Sequence, residues 1–299
     1  MRERRKILIT GAGGFTGQHA CNYFNEKGYD VIAVTRKSPL STKNVEMEAC
    51  DLTDQKAVIN LINLTKPHFL LHLAGQNHVG TSWHNPTSSF KANVLSSLHL
   101  IEAVRYAAPN CKIVIVGSAL ECNLGDLVSL TNPYSLEKTL QVLIAKAWVH
   151  LYGLNIVIVK PSNLIGPGPA NGVCSIFARK IVHMEKNKLD KVLEINNLYA
   201  QRDYIDVRDA VRAYELALLK GHSGEVYEIA SGISRSLEEV IHVMKSLTVI
   251  DFEVKSDGQH QVEKPFNISI DKIAALGWKP TISFKTSIND ILMYYRKRE

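Results

Sequence analysis

Residues 6–17 read Lys6-Ile7-Leu8-Ile9-Thr10-Gly11-Ala12-Gly13-Gly14-Phe15-Thr16-Gly17. The apolar run before the glycines suits a strand covered by helices on both faces. Ala20 and Phe24 continue the pattern at helical spacing beyond them. Glycine allows a tight turn with positive φ, brings backbone N–H groups close to a pyrophosphate, and lets the helix pack on the strand. The helix N-terminus adds partial positive charge. A purely structural strand-to-helix turn carries the same pattern. Context favours the dinucleotide reading: a strand precedes the turn, a helix follows, and Val31-Ile32-Ala33-Val34-Thr35 supplies a second strand at βαβ distance. The spacing is G-x-x-G-x-x-G through Gly11, Gly14 and Gly17, with Phe15 and Thr16 inside the turn.

The same rhythm continues outward. Phe69–Leu73, Lys112–Val116 and Ile156–Lys160 read as further buried strands. Apolar residues at helical spacing run from Leu61 to Leu64, Val94 to Tyr106 and Leu136 to Leu151. The expected class is α/β, a doubly wound, Rossmann-like parallel sheet. After Lys160, Pro161, Pro167 and Pro169 with Gly166, Gly168 and Gly172 predict a loop-rich insertion. Arg208–Lys220 reads as a crossover helix, Val226–Ile229 as a strand, and Ser236–Leu247 and Ser287–Arg296 as C-terminal helices. The expected organisation is a dinucleotide-binding domain over 1–161 and a smaller lobe, mainly 162–299, closing a cleft for substrate.

Composition sets bounds. The chain has 299 residues, 45% hydrophobic and 21% charged, with a net charge of +6. That is room for about two domains and enough apolar matter to exclude disorder. No apolar run approaches the roughly 18–20 residues of a membrane span. The basic start, Met1–Lys6, precedes an apolar stretch too short for a signal peptide, so a cytoplasmic location is expected. The five cysteines are scattered without C-x-x-C spacing and the eleven histidines without H-E-x-x-H, so no disulfide framework and no metal are assigned. No basic stripe with interleaved aromatics argues for nucleic acid. The mild positive charge suits a small anionic ligand, or serves solubility alone.

The second strand ends in Thr35-Arg36-Lys37-Ser38. An acidic residue there would accept from a free ribose 2′-hydroxyl and repel a 2′-phosphate, whereas two cations and a hydroxyl would hold one. NADP is therefore predicted over NAD, which stays the alternative should Arg36 and Lys37 only decorate a surface turn. Asp51-Leu52, read as the end of the third strand, offers a carboxylate to an adenine amino group or forms an ordinary turn.

Pro133-Tyr134-Ser135-Leu136-Glu137-Lys138 opens a long helical pattern, and residues i and i+4 share a face. An ammonium about 5 Å from a phenol, at an effective dielectric of about 20, favours phenolate by roughly 3 kcal/mol, or about 2 pKa units. That predicts a Tyr134 lowered toward the working pH by Lys138. Many helices carry such a pair on their surface. Here it follows a dinucleotide turn and a strand ending in Ser118, where open α/β sheets bind ligands.

Taken together, the glycine turn Thr10–Gly17 and the residues Ser118, Tyr134 and Lys138 resemble the extended short-chain dehydrogenase/reductase family. In its nucleotide-sugar branch they are similar to the GDP-4-keto-6-deoxy-D-mannose reductases. Supporting segments are His72-Leu73-Ala74-Gly75-Gln76, Gln76–Trp83, Lys160–Gly168, Arg202–Asp209, Gly224–Tyr227 and Leu276–Pro280. The resemblance implies catalytic roles for Ser118, Tyr134 and Lys138. It implies cofactor contacts from Leu73, Ala74, Gln76, Asn93 and Pro161, and substrate contacts from His78, Glu121, Asn163, Arg202 and Lys264. Arg202 also admits a structural role, paired with Asp203 or Asp206. It further implies that the segment 203–231 returns to the cofactor domain, leaving the substrate lobe discontinuous, and that the protein is a homodimer.

The chain departs from that family at the substrate pocket. Ala119-Leu120 stand where dehydratases carry an acidic pair, Cys122-Asn123 where Tyr-Gly is usual, and Lys264-Pro265 where Arg-Pro is common. The stretch from Ser118 to Tyr134 is also short. The expected activity is NADPH-dependent reduction of the 4-keto group of a nucleotide-diphosphate 4-keto-6-deoxy sugar. The alternatives are a 4-epimerase with tightly held NAD, and a non-catalytic dinucleotide-sensing protein.

Overall fold

A computed structural model describes residues 4–36, 45–119, 122, 125, 128, 130–256 and 262–298. Contacts divide the chain into two units, Met1–Lys160 with Val211–Tyr227, and Pro161–Ala210 with Glu228–Glu299.

The first unit alternates strands and helices: β1 (Lys6–Thr10), α1 (Phe15–Glu26), β2 (Asp30–Thr35), β3 (Glu46–Ala49), α2 (Gln55–Thr65) and β4 (Phe69–His72). It continues with α3 (Val79–His84), α4 (Pro86–Phe90), a π-helical turn (Lys91–Leu95), α5 (Ser96–Ala107), β5 (Lys112–Val116), α6 (Pro133–Tyr152) and β6 (Ile156–Pro161). Later in the chain come β7 (Asn163–Ile165), α7 (Val173–Glu185), β8 (Val192–Ile195), β9 (Gln201–Asp206), α8 (Val207–Lys220) and β10 (Val226–Ile229). The central sheet has seven strands in the order β10-β6-β5-β4-β1-β2-β3. It is the doubly wound, Rossmann-like arrangement expected. The order reverses between β1 and β4, whose parallel register pairs Thr10 with His72, and ligands of such sheets bind outside the strand ends at this switch point.

Strand residues alternate between two covered faces. Leu8, Ile32, Leu70, Ile113 and Ile158 pack with Val58 and Ile62 of α2, Leu100 and Val104 of α5, and Val142 of α6. Ile7 and Ile9 are also fully buried, and burying each such side chain contributes roughly 1.5–3 kcal/mol. Local chemistry sets the helix ends. Asn132 caps α6 through the Ser135 N–H and Pro133 sits in its first turn. Gly153, at φ 68°, terminates it in the left-handed conformation. The helical pattern read from Val94 begins earlier, because the π turn carries it back to Lys91.

The second unit adds β11 (Ser234–Ser236), α9 (Leu237–Lys245), β12 (Glu253–Ser256), α10 (Asp271–Ala275) and α11 (Phe284–Arg296). Its sheets are β11-β9-β7 and β12-β8. Cys174, Phe177, Ala178 and Ile181 form the buried face of α7, packed with Val240 and Met244 of α9 and Ile288 and Leu292 of α11. The insertion expected to be loop-rich thus holds a 13-residue helix immediately after Gly172. Buried aspartates organise the loops here. Asp203 accepts from the Ser162 hydroxyl at 2.5 Å, from the Ser231 N–H at 2.9 Å and from the Ile233 N–H at 3.0 Å. Asp209 accepts from the N–H groups of Thr281 and Ile282 at 2.8 and 2.9 Å. Among the described residues no helix is long and apolar enough to cross a membrane.

Candidate active site

The turn after β1 has the geometry a dinucleotide phosphate needs. Gly11 has φ +68°, and a Cβ there would lie 2.7 Å from the Ala74 nitrogen. A Cβ on Gly17 would stand 2.1 Å from the Gly11 carbonyl oxygen. The Gly14 N–H donates to that same oxygen at 2.9 Å, and the Ala12 N–H donates to Val34 at 3.2 Å, tying the turn to β2. No side chain caps α1 at Gly14, and its first turn, which holds Phe15 and Thr16, has no acidic residue. Uncapped N–H groups and the helix dipole suit an anion, so these residues fit the diphosphate of a dinucleotide.

Arg36 is exposed just beyond β2. Lys37 lies outside the described residues, as does Glu121. The third strand ends at Ala49. Past it, Asp51 accepts from the Thr53 N–H at 2.9 Å and the Thr53 hydroxyl at 2.8 Å. These bonds, with help from the Arg36 charge, hold its carboxyl below the usual carboxylate range. Leu52 is buried. Beyond β4, the Ala74 N–H donates to Thr10 Oγ1 at 3.2 Å, and the Gln76 N–H donates to Asn93 Oδ1 at 2.7 Å. Leu73 lies against the turn, its carbonyl carbon 2.9 Å from where a Gly11 Cβ would stand. A Cβ on Gly75 would come within 2.7 Å of Asn93 Oδ1 and displace that side chain.

Ser118 follows β5, and Tyr134 and Lys138 share the first turns of α6. Ser118 and Tyr134 are brought together, their hydroxyls joined by a hydrogen bond. Lys138 is 8% exposed and donates to the Val116 carbonyl and to Gln141 Oε1, both at 2.6 Å. The expected lowering of Tyr134 is not what the structure shows. Its pKa is raised, first by burial and then by the negative charge of Glu137, while the Ser118 bond pulls the other way. The cause is burial, which disfavours the charged phenolate, while the ammonium donates to Val116 and Gln141. Tyr134 is therefore fully protonated at neutral pH, the form that donates a proton.

Glu137, 2% exposed, accepts at Oε2 from Ser89 Oγ at 2.7 Å and from Asn93 Nδ2 at 2.5 Å. Asn93 is thus turned inward by the π turn, a device found often at functional sites. It joins the loop after β4 to α6. Sequence spacing alone marks neither Glu137 nor Gln141 as functional. The available signal was polar residues on the face of α6 that Lys138 shares.

His78 caps α3, accepting at Nδ1 from the Thr81 N–H at 3.3 Å, and accepts at its carbonyl from Gln76 Nε2 at 2.8 Å. Pro161 ends β6. In the second unit, Asn163 Nδ2 donates to the Asp203 carbonyl at 2.9 Å. Arg202 pairs with neither Asp203 nor Asp206. It donates to Glu263 at 2.9 Å, and Asp206 is held by Arg208 at 2.8 Å. The Gln201 N–H, and after it Arg202, keep the Glu263 carboxyl below its ordinary range. Lys264 is exposed.

Comparison with known proteins adds four findings. A family model described as the NAD dependent epimerase/dehydratase family matches residues 7–230. GDP-6-deoxy-D-mannose reductase of Pseudomonas aeruginosa is 25% identical over 98% of this chain and 98% of its own. Among solved structures, RMD from Pseudomonas aeruginosa with NADPH superimposes with a TM-score of 0.84 at 24% identity, over 99% of this chain and 100% of that one. UDP-glucose 4-epimerase of Thermotoga maritima with UDP-glucose does so with a TM-score of 0.83 at 26% identity, over 98% and 99%.

Proposed function

The chain belongs to the NAD dependent epimerase/dehydratase family, whose members are nucleotide-sugar oxidoreductases, and from that premise we propose that it reduces the 4-keto group of a nucleotide-diphosphate 4-keto-6-deoxy sugar with NADPH. The observation that carries this reading is Arg36 at the end of β2, a cation where selection of NAD calls for a carboxylate. Ala119 follows Ser118, so the acid that dehydration needs at this place is missing. The GDP-linked 6-deoxy-4-keto mannose is the first substrate to test, because the Pseudomonas reductase is similar over nearly the whole chain.

Bound NADPH would supply the hydride, held by the glycine turn, Arg36, and the residues after β4. Tyr134 gives its proton to the carbonyl oxygen as the new C–H bond forms, and the phenolate left behind is reprotonated from solvent. Ser118 donates to the same oxygen and steadies the developing charge, a contribution commonly worth several kcal/mol. Lys138 binds the nicotinamide ribose and stabilises the phenolate after transfer. Asn163 and Arg202, on β7 and β9, are the proposed sugar-nucleotide contacts, with Arg202 exchanging Glu263 for a phosphate. The test is NADPH consumption with a panel of keto-sugar nucleotides, together with release of any cofactor that copurifies. Stoichiometric NAD and no net consumption would instead identify a 4-epimerase.

Arg36→Ala should raise the KM for NADPH about 10- to 100-fold, the value of one charge-assisted hydrogen bond, and leave the KM for NADH nearly unchanged. Equal changes for both cofactors would remove the 2′-phosphate assignment.

The active form proposed is a homodimer. Tyr106 at the end of α5 and Leu143, Leu151 and Tyr152 of α6 are 74, 47, 64 and 50% exposed. The Arg105 guanidinium lies 3.9 Å from the ring centroid of Tyr106 and 4.6 Å from that of Tyr152. Such aromatic–arginine patches are enriched at interfaces. Sedimentation should give a dimer that Leu151→Glu converts to monomer; a monomeric wild type would refute the interface.

A further inference from the structure

Gln141 is 1% exposed on α6, between Lys138 and Ser97 of α5. Lysine only donates, so the amide must present its oxygen to Lys138, at 2.6 Å, and its nitrogen to Ser97 Oγ, at 2.7 Å. Ser97 spends its hydroxyl proton on the Asn93 carbonyl at 2.6 Å. Its oxygen therefore accepts from His72 Nε2, 2.8 Å away, and the histidine proton must sit on that nitrogen. His72 Nδ1 is then the acceptor for the Thr10 hydroxyl at 2.7 Å, and Thr10 Oγ1 accepts from the Ala74 N–H. Every proton in this chain has one direction. Burial and the Lys138 charge press the His72 pKa down to about 3, so the ring is neutral and the order does not change with working pH.

We propose that Gln141 is a positioning residue for Lys138: its neutral amide, locked by Ser97 and His72, aims the ammonium without neutralising it. This rests on the reading of Lys138 as part of the reductase site. A carboxylate in the same place would hold the lysine but pair its charge. An apolar side chain would leave the charge intact but remove one of the two described acceptors from a long, flexible stem. A misplacement of about 1 Å at a reacting centre costs up to about 10²-fold. The same chain ties the lysine to Thr10 and Ala74, beside the glycine turn, so the two halves of the site share one scaffold.

The experiment is a double-mutant cycle read in both kcat and the KM for the sugar nucleotide. Gln141→Met is expected to lower kcat about 10- to 100-fold while the KM for the sugar nucleotide stays within about threefold. In a Lys138→Met background the same change should add almost nothing. Gln141→Glu is the second variant, should Gln141→Met fold poorly. It keeps an oxygen beside the ammonium but loses the donor to Ser97; circular dichroism should still show a native fold, with kcat reduced about tenfold or more. Wild-type kcat in either Gln141 variant, or equal losses in both backgrounds, would overturn the proposal. Normal turnover by Lys138→Met would overturn the catalytic reading beneath it, a result distinct from the others.

Discussion

Tyr134→Phe should abolish turnover, by about 10³-fold or more, and leave NADPH affinity within a few-fold of wild type. Proton transfer by a positioned side chain contributes about 10²–10⁴-fold, and removing the hydroxyl takes away both the proton and the group that Ser118 addresses. The aromatic ring remains to fill its place on α6, so the fold is not at stake. The direction of the Tyr134 shift sharpens the expectation. Its pKa is raised above the ordinary phenol value, so the group is protonated and competent as an acid across neutral pH. Loss of activity is then expected only toward alkaline pH, as the phenol ionises. Steady-state rates and cofactor fluorescence titration check the two halves separately. Retained turnover would remove Tyr134 from the chemistry.

Gly17→Ala is the second large effect. The added methyl would stand 2.1 Å from the Gly11 carbonyl oxygen and 2.7 Å from Ala12 Cα, both backbone atoms of the turn that meets the cofactor. Neither can swing aside as a side chain would, so α1 must shift away from β1. Overpacking of this kind typically costs about 1–3 kcal/mol, a drop of roughly 2–12 °C in Tm for a unit of this size. Loss of NADPH affinity by more than about 100-fold should accompany it. Gly13→Ala is the control, since its Cβ would meet only Thr35 Cγ2 at 3.7 Å. It should keep both the fold and most of the affinity. Equal behaviour of the two variants would show that the close approach at Gly17 is not what holds the turn.

The parts of the fold legible in the chain are those set locally. β1, the glycine turn and α1 are written in one run of residues, and Tyr134 and Lys138 share a face by helical spacing alone. Arg36 is legible for the same reason: its meaning follows from its place one residue past a strand. The direction of the lysine is not local. It depends on Gln141, whose amide is turned by Ser97, 44 residues away, and by the π turn that brings Asn93 inward. Helical spacing puts an ammonium near the phenol but says nothing of the burial that raises Tyr134, because burial depends on the chain packed around it. α7 was hidden for another reason. The Pro and Gly run through 161–172 reads as loop, and the helix begins only at Val173, right after Gly172. The partner of Arg202 is equally remote, Glu263 being 61 residues on.

The central claim is a net transfer of hydride to the sugar, and it is tested most directly by following the label from NADPH carrying deuterium at the reactive C4 position of its nicotinamide ring. With a nucleotide-linked 4-keto-6-deoxy sugar, the account predicts deuterium at C4 of the sugar and one NADP released for each product formed. Product with protium at C4 and no NADP released, or label that never leaves the cofactor, would contradict it.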